Sequence, residues 1–385
     1  MTKQPDEGFV MPAEWEPHDS TWLTWPKNKT TWPGKLLKEV ESVYLQMISA
    51  LLPQEKVQLL VDNEKTAKAV LNFLPKKAKT QNLKFHFVRT VDVWIRDYGP
   101  MFVTRQRVIA SPAAGVAKQS KWTNQIATPR LPKSMADHAR NDKRNDVAFV
   151  KWTFNAWGGK YDDLARDNDV VDRIEILKKA KRFDPGIVLE GGSIDVNGQG
   201  VCLTTEQCLL NPGRNPKLTR KDIEHYLKRY LGIEKVIWLK EGIEGDDTDG
   251  HVDDITRFVS ADKILTAVEN DTGDKNHAIL KENLEILKRE KDQNGNGFQL
   301  IELPMPGKVG LGRDDAPGER LPASYANFYI GNGVILAPIY SHANDKEALK
   351  VLRRVFPKRL VVGIECTSLV YGLGSIHCVT QQEPR

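Results

Sequence analysis

The sequence predicts an α/β fold built from a repeated pattern, and three observations carry that expectation. Apolar residues recur at helical spacing in several segments, each followed after a short turn by a compact apolar strand. Pairs of short segments joined by Asn, Asp or Gly turns precede the helices. The order hairpin, helix, strand then returns about five times, with a period of roughly 60 residues once a basic stretch is set aside.

The clearest helix places Leu36, Leu37, Val40, Val43, Tyr44, Met47, Ile48 and Leu51 on one face, behind Pro33-Gly34 and ahead of Pro53. Weaker helical periods run over about 64–74, 170–180, 219–230, 275–289 and 345–356, the last opening on Asn344-Asp345 as a cap. Compact strands are expected at 83–88, 186–189, 235–239, 298–303 and 360–364. Hairpins are expected from 194–196 through Asn197-Gly198 into 201–204, from 254–259 into 264–268, and from 328–330 into 334–339. One such unit cannot bury its apolar face alone, so the units close on themselves or stack. An ordinary α/β sandwich is the alternative. A doubly wound nucleotide-binding domain is disfavoured, because no Gly-rich fingerprint follows the first strand.

A chain of 385 residues accommodates two average domains or one large one. With 40% hydrophobic and 28% charged residues it is not a disordered protein. No run reaches the roughly 18 to 20 apolar residues of a membrane helix, and residues 1–10 lack a signal peptide's apolar core. A cytoplasmic protein is the expectation. Cys202, Cys208, Cys366 and Cys378 form no CxxC pair and read as reduced thiols. The net charge of +5 is local: residues 105–146 hold nine Lys/Arg against three Asp, a balance of +6 that leaves −1 for the remainder. That stretch, with Pro112, Pro129 and Pro132, reads as a basic surface insertion, and a nucleic-acid partner is not expected.

Polar residues that a core would not choose gather after the compact strands: Trp94 to Pro100, Glu190-Gly191-Gly192, Asp246 to Asp253, and Ile376-His377-Cys378. If the repeat closes into a ring, these four loops converge. Cys378 follows Gly372-Leu373-Gly374, where backbone can approach a ligand closely. A free thiol titrates near 8.5, so Cys378 needs a cationic neighbour or a base to attack at neutral pH. His251, between Asp249 and Asp253, is the candidate acid and base, although the loop read alone is a solvated surface loop. A metal held by His251 and Asp253 is the weaker alternative, lacking further ligands at motif spacing. Asp97, Glu190 and Asp253 complete a set that suits a planar cation, since carboxylates accept paired N–H donors two at a time. A bound guanidinium would also stabilise the thiolate. The other three cysteines read as small buried hydrophobes.

These residues fall in seven blocks, in order from about residue 11 to the C-terminus: Met11 to His18, Trp94 to Pro100, Phe154 to Gly159, Leu189 to Ser193, Thr248 to Asp253, Pro322 to Tyr325 and Ile376 to Gln382. Together they resemble the agmatine deiminase family, guanidino-modifying enzymes related to bacterial-type peptidylarginine deiminases. The resemblance implies a closed five-bladed α/β propeller (pentein) of ββαβ units, as a single catalytic domain over 1–385 with the insertion at about 105–146. It implies that Cys378 attacks the guanidinium carbon, and that His251 protonates the departing ammonia and then activates water against a thiouronium intermediate. Asp97 and Asp253 would grip the guanidinium, Glu190 would contact it and orient His251, and Trp94, Asp247 and Gly374 would join the substrate contacts. No metal and no organic cofactor are implied. The product from agmatine would be N-carbamoylputrescine, a step of polyamine biosynthesis.

Two departures bear on the substrate. The basic insertion is longer than the family pattern. Asp247 stands where many agmatine deiminases carry Glu; if it greets the amine end, reach changes by about one methylene, worth about 1–3 kcal/mol of discrimination. Rival readings are a deiminase of free or peptide-linked arginine, an amidinotransferase with the same cysteine and histidine chemistry, and a binding protein without catalysis. No membrane partner is expected, and homo-oligomerisation is left open.

Overall fold

The computed structural model describes residues 8–105, 147–310 and 320–385, so the basic insertion lies, from residue 106 on, outside the described residues. Five sheets share one motif, an antiparallel pair whose second strand takes a parallel third. In the first, Gln381–Pro384 pairs with His18–Thr24, which continues into Lys56–Val61 and Leu83–Phe87. The second joins Met101–Arg105, Val147–Val150 and Lys181–Phe183, with Phe9–Val10 on its edge. The third contains Asp195–Val196, Val201–Thr205 and Lys235–Leu239. The fourth contains Thr256–Ser260, Lys263–Val268 and Gln299–Pro304. The fifth contains Tyr329–Ile330, Val334–Ile339 and Leu360–Glu365.

Parallel neighbours need a crossover, and helices supply it. Leu36–Leu51 bridges the first parallel pair and buries Leu36, Val40, Val43, Tyr44, Met47, Ile48 and Leu51 along one stripe. Arg220–Leu231 starts at a reciprocal Thr219/Asp222 capping box and stops at Gly232, which takes the left-handed conformation at φ 70°. Lys275–Arg289 and Asp345–Val355 serve the fourth and fifth sheets. Central strands such as Val334–Ile339 are buried along nearly their whole length, which is why they read as unbroken apolar runs.

Three expectations need correction. The helix foreseen over 170–180 is a broken series: Val170–Arg173, then a short turn at Leu177–Lys179, because Ile174 leaves helical conformation at ψ 104°. Its apolar period is nevertheless real, since Val170, Val171, Ile174 and Leu177 are all buried. The strand foreseen at 186–189 is reduced to a single bridge between Val188 and Thr153, and the pairing strand is Lys181–Phe183. Asn344 does not cap its helix: its side chain donates to Met305 O at 2.7 Å. Asp345, the first helical residue, instead ties down the loop before the helix, accepting from His342 N at 3.0 Å and Tyr340 N at 3.1 Å. Among the described residues, no helix is long and apolar enough to cross a membrane.

Candidate active site

The four polar loops meet. Ile95–Tyr98 forms one helical turn that buries Asp97. Gly192 N donates to Asp97 Oδ1 at 3.0 Å. A Cβ on Gly192 would lie 2.6 Å from His251 Nδ1, 3.0 Å from Asp253 Oδ2 and 3.1 Å from Asp97 Oδ1, so only glycine lets these groups converge. The 246–253 loop wraps around Asp246, whose carboxylate accepts from Thr248 N, Gly250 N and His251 N. Asp249 and Gly250 sit at φ 63° and 85° to complete that wrap. Cys378 is fixed by Asn327, whose Nδ2 lies 3.2 Å from Sγ and whose Oδ1 accepts from His377 N at 2.8 Å.

Around the thiol the charges are dense. Cys378 Sγ lies 4.0 Å from Asp253 Oδ2, and His251 Nδ1 lies 3.9 Å from Asp97 Oδ1. Trp157 Nε1 donates to Asp97 Oδ2 at 3.0 Å. His377 Nδ1 holds Asp253 Oδ2 at 2.6 Å. Both oxygens of Glu190 are taken by Arg214 Nε, at 2.9 and 3.0 Å. Arg214 also donates to Asp249 Oδ2 and Thr248 O, so one buried guanidinium ties Glu190 to the histidine loop. Asp253 Oδ1 and both ring nitrogens of His251 are buried without a hydrogen-bond partner among the described residues. Buried polar atoms are almost always satisfied, so the open oxygen of Asp253 is available to accept from a ligand.

Burial pushes the Cys378 thiol well above its ordinary value, and Asp253, Asp254 and Asp97 push it further. Burial pulls His251 down, but Asp97, Cys208 and Asp253 outweigh it and hold the ring well above the usual histidine range. Asp97 is raised, by burial first and then by Asp253 and Glu190, which His251 does not offset. Burial would raise Asp253, but the hydrogen bond and charge of His377 overcome it and leave the carboxyl lowered. Asp254 is raised well up by burial and by Asp253.

A cavity of about 400 Å³ reaches Cys378. Of the residues singled out in the sequence, Trp94, Asp97, Asp247, Gly374 and Cys378 line it, while Glu190, His251 and Asp253 stand outside its lining. Trp94, Trp157, Tyr161 and Tyr371 give it aromatic walls, and Trp94 meets Trp157 edge to face at 6.3 Å. Trp157 holds a left-handed backbone at φ 55°. That conformation costs a bulky residue on the order of 1–3 kcal/mol and collects at functional sites. Asp247 lies on the same lining, its Oδ2 accepting from Tyr161 OH at 2.5 Å.

The metal alternative does not suit these donors. His251 groups with Glu190 and Cys208, whereas Asp253 groups with Asp254 and Cys378. In the first set Arg214 already occupies both Glu190 oxygens and opposes a second cation; in the second, His377 holds Asp253 Oδ2 and Asn327 Nδ2 holds Asp254 Oδ1 at 2.9 Å. Sequence alone gives no role to Arg214, Asn327, His377, Trp157 or Tyr161. His377 and Trp157 lie inside the seven blocks, but nothing local marks Arg214 or Asn327.

Comparisons with known proteins cover nearly the whole chain. The family model for the Porphyromonas-type peptidyl-arginine deiminase matches residues 10–384. An agmatine deiminase of Medicago truncatula is 37% identical over 397 aligned positions, covering 98% of this chain and 96% of the relative. Among solved structures, an agmatine deiminase of Enterococcus faecalis superposes with TM-score 0.81 at 30% identity, over 98% of this chain and 96% of its own. A C. jejuni agmatine deiminase with substrate bound, a cysteine-to-serine variant, gives TM-score 0.78 at 27% identity over 100% and 99%. With the match running almost end to end, the chain belongs to the Porphyromonas-type peptidyl-arginine deiminase family.

Proposed function

We propose that this protein is an agmatine deiminase, hydrolysing agmatine to N-carbamoylputrescine and ammonia through a covalent intermediate on Cys378. One observation carries the reading: a buried thiol stands beside two acids, one with an unpartnered oxygen among the described residues, at a small cavity with aromatic walls and an acid, Asp247, on its lining. A guanidinium satisfies Asp97 and Asp253, an alkyl chain packs between the aromatic rings, and the terminal amine meets Asp247.

The electrostatics give the order of events. Burial and three acids keep the thiol protonated before substrate arrives. An arriving guanidinium neutralises the acids and places positive charge beside sulfur, so the substrate itself favours the thiolate and the thiol proton passes to solvent. Sulfur attacks the central carbon; His251, held toward its protonated form, gives a proton to the leaving nitrogen, and ammonia departs. His251 then takes a proton from water as the oxygen adds to the thiouronium carbon, and the C–S bond breaks as the remaining hydroxyl proton passes to sulfur, forming the urea carbonyl and returning the thiol. Arg214 and Glu190 hold the histidine loop throughout.

In the same reading the five sheets close into a five-bladed propeller around this site, one catalytic domain in all. The equivalent hairpin-plus-parallel-strand units support this, as does the pairing of Gln381–Pro384 with His18–Thr24, which joins the two ends of the chain. Four free thiols suit a reducing cytoplasm.

The family's description keeps a second reading in view, deimination of peptide-linked arginine. Ammonia release from agmatine, free arginine and a blocked arginine peptide separates the two. Preference for agmatine with N-carbamoylputrescine formed supports the proposal. Preference for the peptide overturns the substrate and keeps the chemistry, and release from none of them overturns both.

A further inference from the structure

His377 and Glu14 take no part in the steps above, yet they are among the most tightly held polar residues in the protein. The His377 ring is buried and has a carboxylate on each side: Nδ1 lies 2.6 Å from Asp253 Oδ2, and Nε2 lies 2.7 Å from Glu14 Oε2. Glu14 is itself fixed from several directions. Its Oε2 meets Arg257 Nη2 at 2.9 Å and Arg96 Nη2 at 3.5 Å, and its Oε1 accepts from Ile330 N at 2.7 Å. Burial would raise Glu14, but Arg257, His377 and Arg96 hold its carboxyl well below the usual range. Each ring nitrogen therefore has a carboxylate oxygen within hydrogen-bond distance, and the ring is held from both sides.

For Asp253 the consequence is geometric. One oxygen is pinned by His377, so the side-chain rotamer is set, and Oδ1 stays buried without a partner among the described residues. The same histidine precedes the nucleophile, and the amides of His377 and Cys378 both approach Asn327 Oδ1, at 2.8 and 3.4 Å. Clamp and nucleophile therefore share one anchored segment.

We propose that Glu14 and His377 are positioning residues, a buried carboxylate–imidazole–carboxylate chain that holds Asp253 by Oδ2 and so presents Oδ1 to the substrate's guanidinium. This rests on Asp253 being the guanidinium clamp of the preceding section. It also assigns a role to the Met11 to His18 block, whose Glu14 reaches the site from a point 363 residues away in sequence.

The test uses the full-length protein with agmatine as probe. Steady-state kinetics and melting temperature are measured for H377Q, E14Q and their double variant, and agmatine binding is measured with each change placed in a C378S background. H377Q is expected to raise KM and weaken binding by about 10- to 100-fold, as loss of a charge-assisted hydrogen bond does. E14Q keeps the Ile330 bond through its amide oxygen and leaves the His377–Asp253 contact in place, so it costs less than about tenfold. If Glu14 acts on Asp253 through His377, the double variant is expected to match H377Q within about twofold. Unaltered KM and binding in folded H377Q, or a double variant whose loss is the product of the single losses, would overturn the chain. If H377Q does not fold, E14Q decides alone: changed agmatine affinity at unchanged melting temperature supports the chain, and unchanged affinity overturns it. D253N separates the two layers of argument. If D253N binds agmatine like the parent, the clamp reading falls and the chain with it; if D253N loses binding and H377Q does not, only the chain falls.

Discussion

The sulfur of Cys378 and the carboxylate of Asp253 stand 4.0 Å apart, both buried. Like charges at that distance in a buried site disfavour one another strongly, so the thiolate is costly until a positive group arrives. Selectivity and activation thus share one device, since a neutral ligand filling the same space leaves the nucleophile a thiol.

Alkylation measures this directly. In the substrate-free protein, the rate of Cys378 modification by iodoacetamide is expected to climb through about pH 8.5, the ordinary thiol value, without reaching a plateau. A plateau below pH 8 would show that the substrate-free site already stabilises the thiolate and would remove substrate assistance from the mechanism.

Replacing the nucleophile gives the plainest result. Cys378→Ser is expected to abolish ammonia release and to leave the melting temperature within a few degrees, since the hydroxyl fits where the thiol was and Asn327 can still reach it. Turnover above one-hundredth of the parent rate would move the nucleophile elsewhere.

Asp247 belongs to the other part of the substrate. Asp247→Ala is expected to lower kcat/KM for agmatine by about 10- to 100-fold, the loss of one charge-assisted contact. An alkylguanidine of equal length without the amine should barely notice the change. Equal losses on both compounds would give Asp247 a structural role, through Tyr161 and Lys160, and none toward the amine.

Gly192→Ala tests the crowding at the centre. Its Cβ would press on His251 Nδ1 at 2.6 Å and on Asp253 and Asp97 close behind. Overpacking of this kind costs about 1–3 kcal/mol, and the groups that must yield are the reacting ones. Activity should therefore fall far more steeply than stability; a variant with parent-like kcat would show that the site has more room than these distances allow.

Stability should rise on mild acidification. Burial raises Asp92, Asp167 and Asp195 to about 6 from an ordinary 3.8. Between those values the folded protein binds more protons than the unfolded chain, so unfolding free energy falls as pH rises through that window. Each such acid costs on the order of 3 kcal/mol at neutral pH, and the cost vanishes below about pH 4. Glu14 and Asp253 act oppositely, being lowered, and their contribution is lost at still lower pH. The melting temperature is expected to be higher at pH 5.5 than at pH 7.5, and Asp92→Asn to shrink that difference. A melting temperature that rises steadily from pH 5.5 to 7.5 would contradict this balance.

Much of this architecture is legible in the chain. Lys275–Arg289 and the hairpins at 194–204 and 328–339 follow from period and turn residues alone, because local preference and tertiary demand agree there. Residues 170–180 carry a helical apolar period that packing uses without a continuous helix, and no local signal separates those cases. The polar loops are visible because acids and a histidine after apolar strands have no place in a core. Arg214 and Asn327 are not visible, since each is buried only by virtue of partners far along the chain, and a lone Arg or Asn reads as surface. Glu190 is expected from the resemblance to touch substrate, yet both its oxygens belong to Arg214, a pairing that no spacing reveals.

The strand Gln381–Pro384 begins three residues after Cys378 and pairs with His18–Thr24, where Ser20 and Glu383 are bonded across 363 positions of sequence. Contacts of such separation carry the largest closure entropy and tend to form late in folding. The reactive sulfur is therefore delivered to its acids by the same event that knits the termini together. Partly folded chains would lack both the nucleophile and the histidine that sets Asp253, so recovery of deiminase activity during refolding times the closing of the whole molecule.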